Sequence, residues 1–109
     1  MAASRLPLMQ GTLDLLVLRA VASGPSHGYG VASLVSERTN GDLVIEDAAL
    51  YQALHRLERQ GLLDAEWGPS DNNRRARYDT LTPAGRRRLR EETASWRRYS
   101  RAVEAVLQP

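Results

Sequence analysis

Tyr51, Gln52, His55, Arg56 and Arg59 crowd into a short stretch of chain, and all five carry donors or acceptors on long arms. Between them Leu50, Leu54 and Leu57 recur at i, i+4 and i+7, a spacing that gathers three side chains on one buried stripe of a helix. The pattern predicts a helix over residues 47–60 whose polar face turns away from the core. Arg and Gln present forks that match guanine and adenine edges in a major groove, and Tyr and His reach bases or phosphates. A polar helix face is usually just solvated, so the helix alone does not decide for nucleic acid.

The segment that follows sharpens the chemistry. Gly61 stands where helices commonly stop, residues 62–67 mix apolar and acidic side chains as a strand does, and Gly68-Pro69-Ser70-Asp71-Asn72-Asn73 is dense in turn formers. A return strand over residues 75–81 opens in a basic run, so that Arg74, Arg75, Arg77 and Tyr78 lie at the turn of a hairpin. Guanidinium forks suit phosphates and narrow grooves of negative potential. By itself such a cluster serves solubility as readily as binding. Trp67, on the outgoing strand, is expected in the core.

The remaining elements must hold this helix and hairpin in place. Residues 1–10 contain Pro7 and no sustained pattern, and read as a flexible arm. Over residues 12–23, Leu13, Leu16, Val17, Ala20 and Val21 fall at helical spacing, and Leu15, Leu18 and Ala22 make the helix apolar almost all round. A helix of that kind needs cover on two sides, so one side should face its own domain and the other, with Leu15 and Leu18, a partner. Gly24-Pro25 breaks it, and a second helix should run from Ser26 or His27 to about Thr39. His27 reads as a capping or packing residue before a metal or phosphate ligand. Leu43-Val44-Ile45 should form a very short strand pairing with the hairpin. After Leu81, Thr82 as N-cap and Pro83 at the first helical position start a last helix reaching about Leu107. There Leu89, Trp96, Tyr99, Val103 and Val106 form a heptad-like seam whose natural partner is a second copy of the chain. The expected fold is mainly α with a small β-wing (α+β): a winged helix-turn-helix over residues 11–83 and a dimerisation helix over residues 84–109.

Composition limits the alternatives. With 109 residues there is room for one domain, and a head of this size buries too small a fraction of its surface to be more than marginally stable alone. All 15 basic residues are Arg, and net charge is only +2. Residues 67–90 hold seven Arg against two Asp, a local excess of five positive charges, and local charge governs attraction to a polyanion. The absence of Cys removes disulfides, thiol catalysis and Cys-based zinc fingers. No apolar run spans a membrane, and Asp14 and Arg19 interrupt the first apolar segment, so a soluble cytoplasmic protein is expected. With two His, no HExxH pair, no nucleophile elbow and no glycine cradle, an enzyme is not expected, nor is a metal site or a cofactor. A winged helix that binds protein instead of DNA remains open.

Several segments together closely resemble the PadR family of bacterial transcriptional regulators. They are Gly11-Thr12-Leu13-Asp14-Leu15-Leu16-Val17-Leu18, Gly24-Pro25-Ser26-His27-Gly28-Tyr29-Gly30, Leu50-Tyr51-Gln52-Ala53-Leu54-His55-Arg56-Leu57-Glu58, Asn72-Asn73-Arg74-Arg75-Ala76-Arg77-Tyr78 and Leu81-Thr82-Pro83-Ala84-Gly85. The resemblance covers nearly the whole chain. It implies a homodimeric repressor of a palindromic double-stranded DNA operator, in the subfamily with a short C-terminal helix. It also implies a recognition helix bearing Tyr51, His55 and Arg56, and a wing bearing Arg74, Arg75 and Arg77. Where relatives usually carry proline, this chain has Gln52, which adds a donor. In some members an aromatic residue on the last helix stacks flat aromatic or cationic ligands at the dimer centre. Trp96 occupies such a place, although a Trp in a helical seam is more often interface packing.

Overall fold

The computed structural model describes residues 6–9, 11–23, 28–69 and 75–109. In chain order the elements are α1 (Thr12–Val21), α2 (Gly28–Arg38), α3 (Asp47–Arg59), β1 (Leu63–Pro69), β2 (Arg75–Leu81) and α4 (Pro83–Leu107). His27 and Arg74, and the breaks expected at residues 24–25 and 70–73, lie outside the described residues.

α1 is the hub, packing against α2, α3, α4 and β2. Its Val17, Leu18, Ala20 and Val21 are buried with Val31 and Val35 of α2 and with Leu50, Leu54 and Leu57 of α3. Burying one such Leu side chain contributes about 1.5–3 kcal/mol, so the apolar stripe of α3 is what seats that helix. Leu18, expected toward a partner, is 1% exposed and belongs to this core. Only Leu15, half-buried, remains of that expected pair on the outward side.

α2 and α3 both end in a left-handed residue that satisfies the orphan carbonyls. After α3, Gly61 (φ 77°) donates its N–H to Glu58 O at 2.9 Å, and Leu62 N–H reaches back to Leu57 O at 3.0 Å. After α2, Asn40 (φ 51°) takes the same position, with Gly41 N–H on Ser36 O at 2.8 Å.

Residues 43–45 form no strand. The Leu43 N–H donates to Thr39 Oγ1 at 3.0 Å, and Ile45 is buried, so the segment is held by a side-chain cap and an apolar anchor instead of a ladder. The wing is therefore a two-stranded antiparallel sheet among the described residues, in register from Leu63↔Leu81 to Pro69↔Arg75.

Thr82 caps α4 as its type and the following Pro83 foretell, accepting from Gly85 N at 3.0 Å. Its hydroxyl also donates to Gly61 O at 2.7 Å, and its N–H to Leu62 O at 3.1 Å, which ties the root of α4 to the end of α3. Ala84 and Leu89 pack on the core, whereas from Ala94 onward the side chains are exposed, Ser100 alone being half-buried.

Candidate nucleic-acid interface

The amphipathic stripe of α3 leaves its opposite face open. Tyr51 is 48% exposed, and Gln52, His55 and Arg59 are exposed beside it. Arg56 lies on the flank and is ion-paired with Asp14 of α1, so its guanidinium points back to the hub helix. That pair bridges two elements 42 residues apart in the chain.

Arg77 joins the wing to this face. Directly opposed residues of an antiparallel pair share a face, so one face of the hairpin carries Leu63 and Leu81, then Ala65 and Asp79, then Trp67 and Arg77, then Pro69 and Arg75. Leu63, Leu81 and Asp79 are buried, but the hairpin outruns the core, and Trp67, expected inside, is 54% exposed. Its strand alternation points it inward, to a level where no core remains. Arg75 lies over the Trp67 ring, 5.3 Å from the centroid, a cation–π arrangement. Trp67 too was misplaced by sequence reasoning, which put it in the core. Its cross-strand pairing with Arg77 was the available signal.

Arg77, expected on the wing as a free cation, has a side chain only 9% exposed. It donates from Nε and Nη2 to Asp79 Oδ1, at 3.0 and 2.9 Å, and its Nη1 lies 3.2 Å from Glu58 Oε1 and 3.1 Å from His55 Nδ1. Both Glu58 and His55 are on α3, so the guanidinium clamps the wing to that helix. Burial opposes the Arg77 cation, but its hydrogen bond to Asp79 and the charges of Asp79 and Glu58 together hold its pKa above the ordinary value. Burial also lifts the Asp79 carboxyl, although the hydrogen bond and charge of Arg77 pull it back. The pair thus favours the arginine charge more than the carboxylate charge, as expected where Asp79 is 0% exposed and its Oδ2 has no hydrogen-bond partner among the described residues.

Of the eight side chains expected to meet DNA, the structure brings Tyr51, Gln52, His55, Arg59 and Arg75 to open surface, turns Arg56 and Arg77 to internal carboxylates, and does not describe Arg74. Exposed Arg86, Arg87 and Arg88 add cations at the start of α4, against the helix dipole. Trp96, Tyr99, Val103 and Val106 of the expected seam are exposed, and the rings of Trp96 and Tyr99 lie 6.4 Å apart. Leu89 is packed against the core at the near end. A groove of about 410 Å³ runs between Met9, Thr12 and Leu15 on one side and Glu92, Trp96 and Tyr99 on the other.

Comparison with known proteins agrees with this architecture. Residues 17–91 match the model of the transcriptional regulator PadR-like family. A transcriptional regulator of Mycobacterium tuberculosis is 35% identical over 94 residues, covering 86% of this chain and 84% of that protein. The crystal structure of a PadR-family transcriptional regulator from Eggerthella lenta superposes with a TM-score of 0.78 at 33% identity, over 91% of this chain and 84% of that one. A transcriptional regulator from Clostridium thermocellum shares the fold with a TM-score of 0.82 at 24% identity, over 91% and 96% of the two chains.

Proposed function

The chain belongs to the PadR-like family of transcriptional regulators, and from there we propose that it is a homodimeric repressor that binds a palindromic operator in double-stranded DNA. It is a regulator and not an enzyme, as its family relatives are. The observation that carries DNA binding is the joining of two open surfaces: Tyr51, Gln52, His55 and Arg59 are exposed on α3, Arg75 and Trp67 are exposed on the wing, and Arg77 fastens the wing to α3.

In this reading α3 enters the major groove, where Gln52 and His55 meet base edges, and Arg75 and Arg59 meet the backbone. Cytoplasmic DNA is the target. The exposed apolar seam of Trp96, Tyr99, Val103 and Val106 supports dimerisation, because a single copy leaves it wet. A two-fold pair of heads then meets two half-sites about one helical turn apart. Release would come from a flat aromatic or cationic effector in the groove beside Trp96 and Tyr99, by favouring one arrangement of the dimer.

The test is fluorescence anisotropy on the DNA upstream of the protein's own coding region, against a scrambled duplex, over a series of salt concentrations. Preference for the native duplex with a steep salt slope is expected. Equal, weak binding there and no enriched sequence in a selection from random DNA would favour a winged helix that binds protein.

A further inference from the structure

We propose that Arg77 is a positioning residue for base recognition: it holds the His55 ring in the tautomer with its proton on Nε2, so that α3 offers one hydrogen-bond donor at that point. The inference rests on the DNA-binding role proposed above, but its first premise is a property of the free protein.

A guanidinium has five N–H donors and no acceptor. Its Nη1 lies 3.1 Å from His55 Nδ1, so a hydrogen bond there requires the imidazole nitrogen to carry the lone pair. A proton on Nδ1 would set N–H against N–H. The remaining proton of a neutral ring is then on Nε2 of this exposed residue.

Arg77 cannot readily turn away to a phosphate. Two of its nitrogens are held by Asp79 Oδ1 and a third by Glu58. Its departure would leave Asp79, 0% exposed and with no partner for Oδ2 among the described residues, as an uncompensated buried carboxylate. Arg77 therefore serves DNA binding through His55 and not by touching the backbone.

A lone donor has a definite preference in the major groove. It is met by N7 and O6 of guanine, N7 of adenine or O4 of thymine, and opposed by cytosine, whose exposed edge is an amine donor. One position in each half-site should consequently exclude cytosine.

Two measurements on the full-length chain decide this. The first is a nitrogen-15 correlation spectrum of the histidine rings in the absence of DNA, with His27→Gln to separate the only other histidine. The wild type is expected to show His55 protonated on Nε2 alone, and Arg77→Met to show a mixture of tautomers. The second is selection from randomised duplexes. Arg77→Met should raise tolerance of cytosine at one position by roughly ten-fold while leaving the slope of log K against log salt unchanged. Because Arg77→Met strands Asp79, the double variant Arg77→Met/Asp79→Asn replaces the pair by neutral groups and should behave alike if the single variant does not fold. A wild-type His55 protonated on Nδ1, or a slope reduced by about one in the variant, would overturn the proposal. Wild-type protein that enriches no sequence would overturn the DNA-binding role, with the tautomer still decided by the first spectrum.

Discussion

Gly85 is the third residue of α4, where helix propensity alone says that Ala should stabilise by about 1 kcal/mol. The structure says the opposite. A Cβ placed on Gly85 would overlap the carbonyl oxygen of Leu62, and would stand 3.1 Å from the carbonyl carbon and 3.2 Å from Leu81 Cδ2. None of these is the loose end of a long side chain. The Leu62 oxygen is fixed by the Thr82 N–H at 3.1 Å, and Gly85 itself by the Thr82 hydroxyl at 3.0 Å, so relief requires α4 to lift from the base of the wing. Overpacking against a well-packed site costs about 1–3 kcal/mol and more where backbone must move. After the propensity gain, a net loss of about 2 kcal/mol is expected for Gly85→Ala. In urea, with a slope of about 1–3 kcal/mol per molar, the midpoint should fall by roughly 1 M. Circular dichroism at fixed protein concentration reads it. A midpoint that holds or rises would refute the close approach of α4 to Leu62.

Five further outcomes are expected. Because burial holds the folded-state pKa of Asp79 above its ordinary 3.8, its contribution to stability is fullest below that value and is lost as pH rises through the folded value. The unfolding free energy of wild type minus Asp79→Asn should accordingly fall with rising pH above about 4, whereas a rising difference would mean that the Arg77 pair dominates. Asp14→Asn should release Arg56 toward DNA and steepen the salt dependence of binding, with a stability loss of no more than about 1 kcal/mol for so exposed a pair; unchanged binding would keep Arg56 off the DNA surface. Arg75→Ala should weaken binding to all sequences and lower the salt slope by about one; Trp67→Ala should weaken binding less and change stability by under about 0.5 kcal/mol, whereas a loss of about 3–5 kcal/mol would mark Trp67 as core after all. Trp96→Arg should leave monomers at micromolar concentration in sedimentation, and persistent dimers would put the seam elsewhere.

Local patterns carried most of the fold. The period of Leu50, Leu54 and Leu57, the stop at Gly61 and the Thr82-Pro83 start all translate into structure because each is decided within a few residues. What escapes is set by distances between elements. Strand alternation correctly places Trp67 on the same face as Leu63, but how far the core extends along the wing depends on where α3 ends and how α1 lies. Leu18 sits in an all-round apolar helix, where periodicity cannot choose between core and surface. Arg77 and Asp79 are two residues apart, so strand geometry puts them on one side, yet only the packing of β2 beside α3 brings Glu58 and His55 to them. In residues 43–45 β-branched composition suggests a strand, and the Thr39 hydroxyl takes the N–H that a ladder would have used.

The rooted helix α4 also has a mechanical side. Its 25 residues extend about 37 Å at the usual rise, and packing grips only its near end. It is a lever with its fulcrum at Gly85. A tilt of about 5° there swings the far end by roughly 3 Å, close to the ~3.4 Å rise of one base pair. In a dimer built on α4, an adjustment of that size would slide one head by a whole step along the DNA relative to the other.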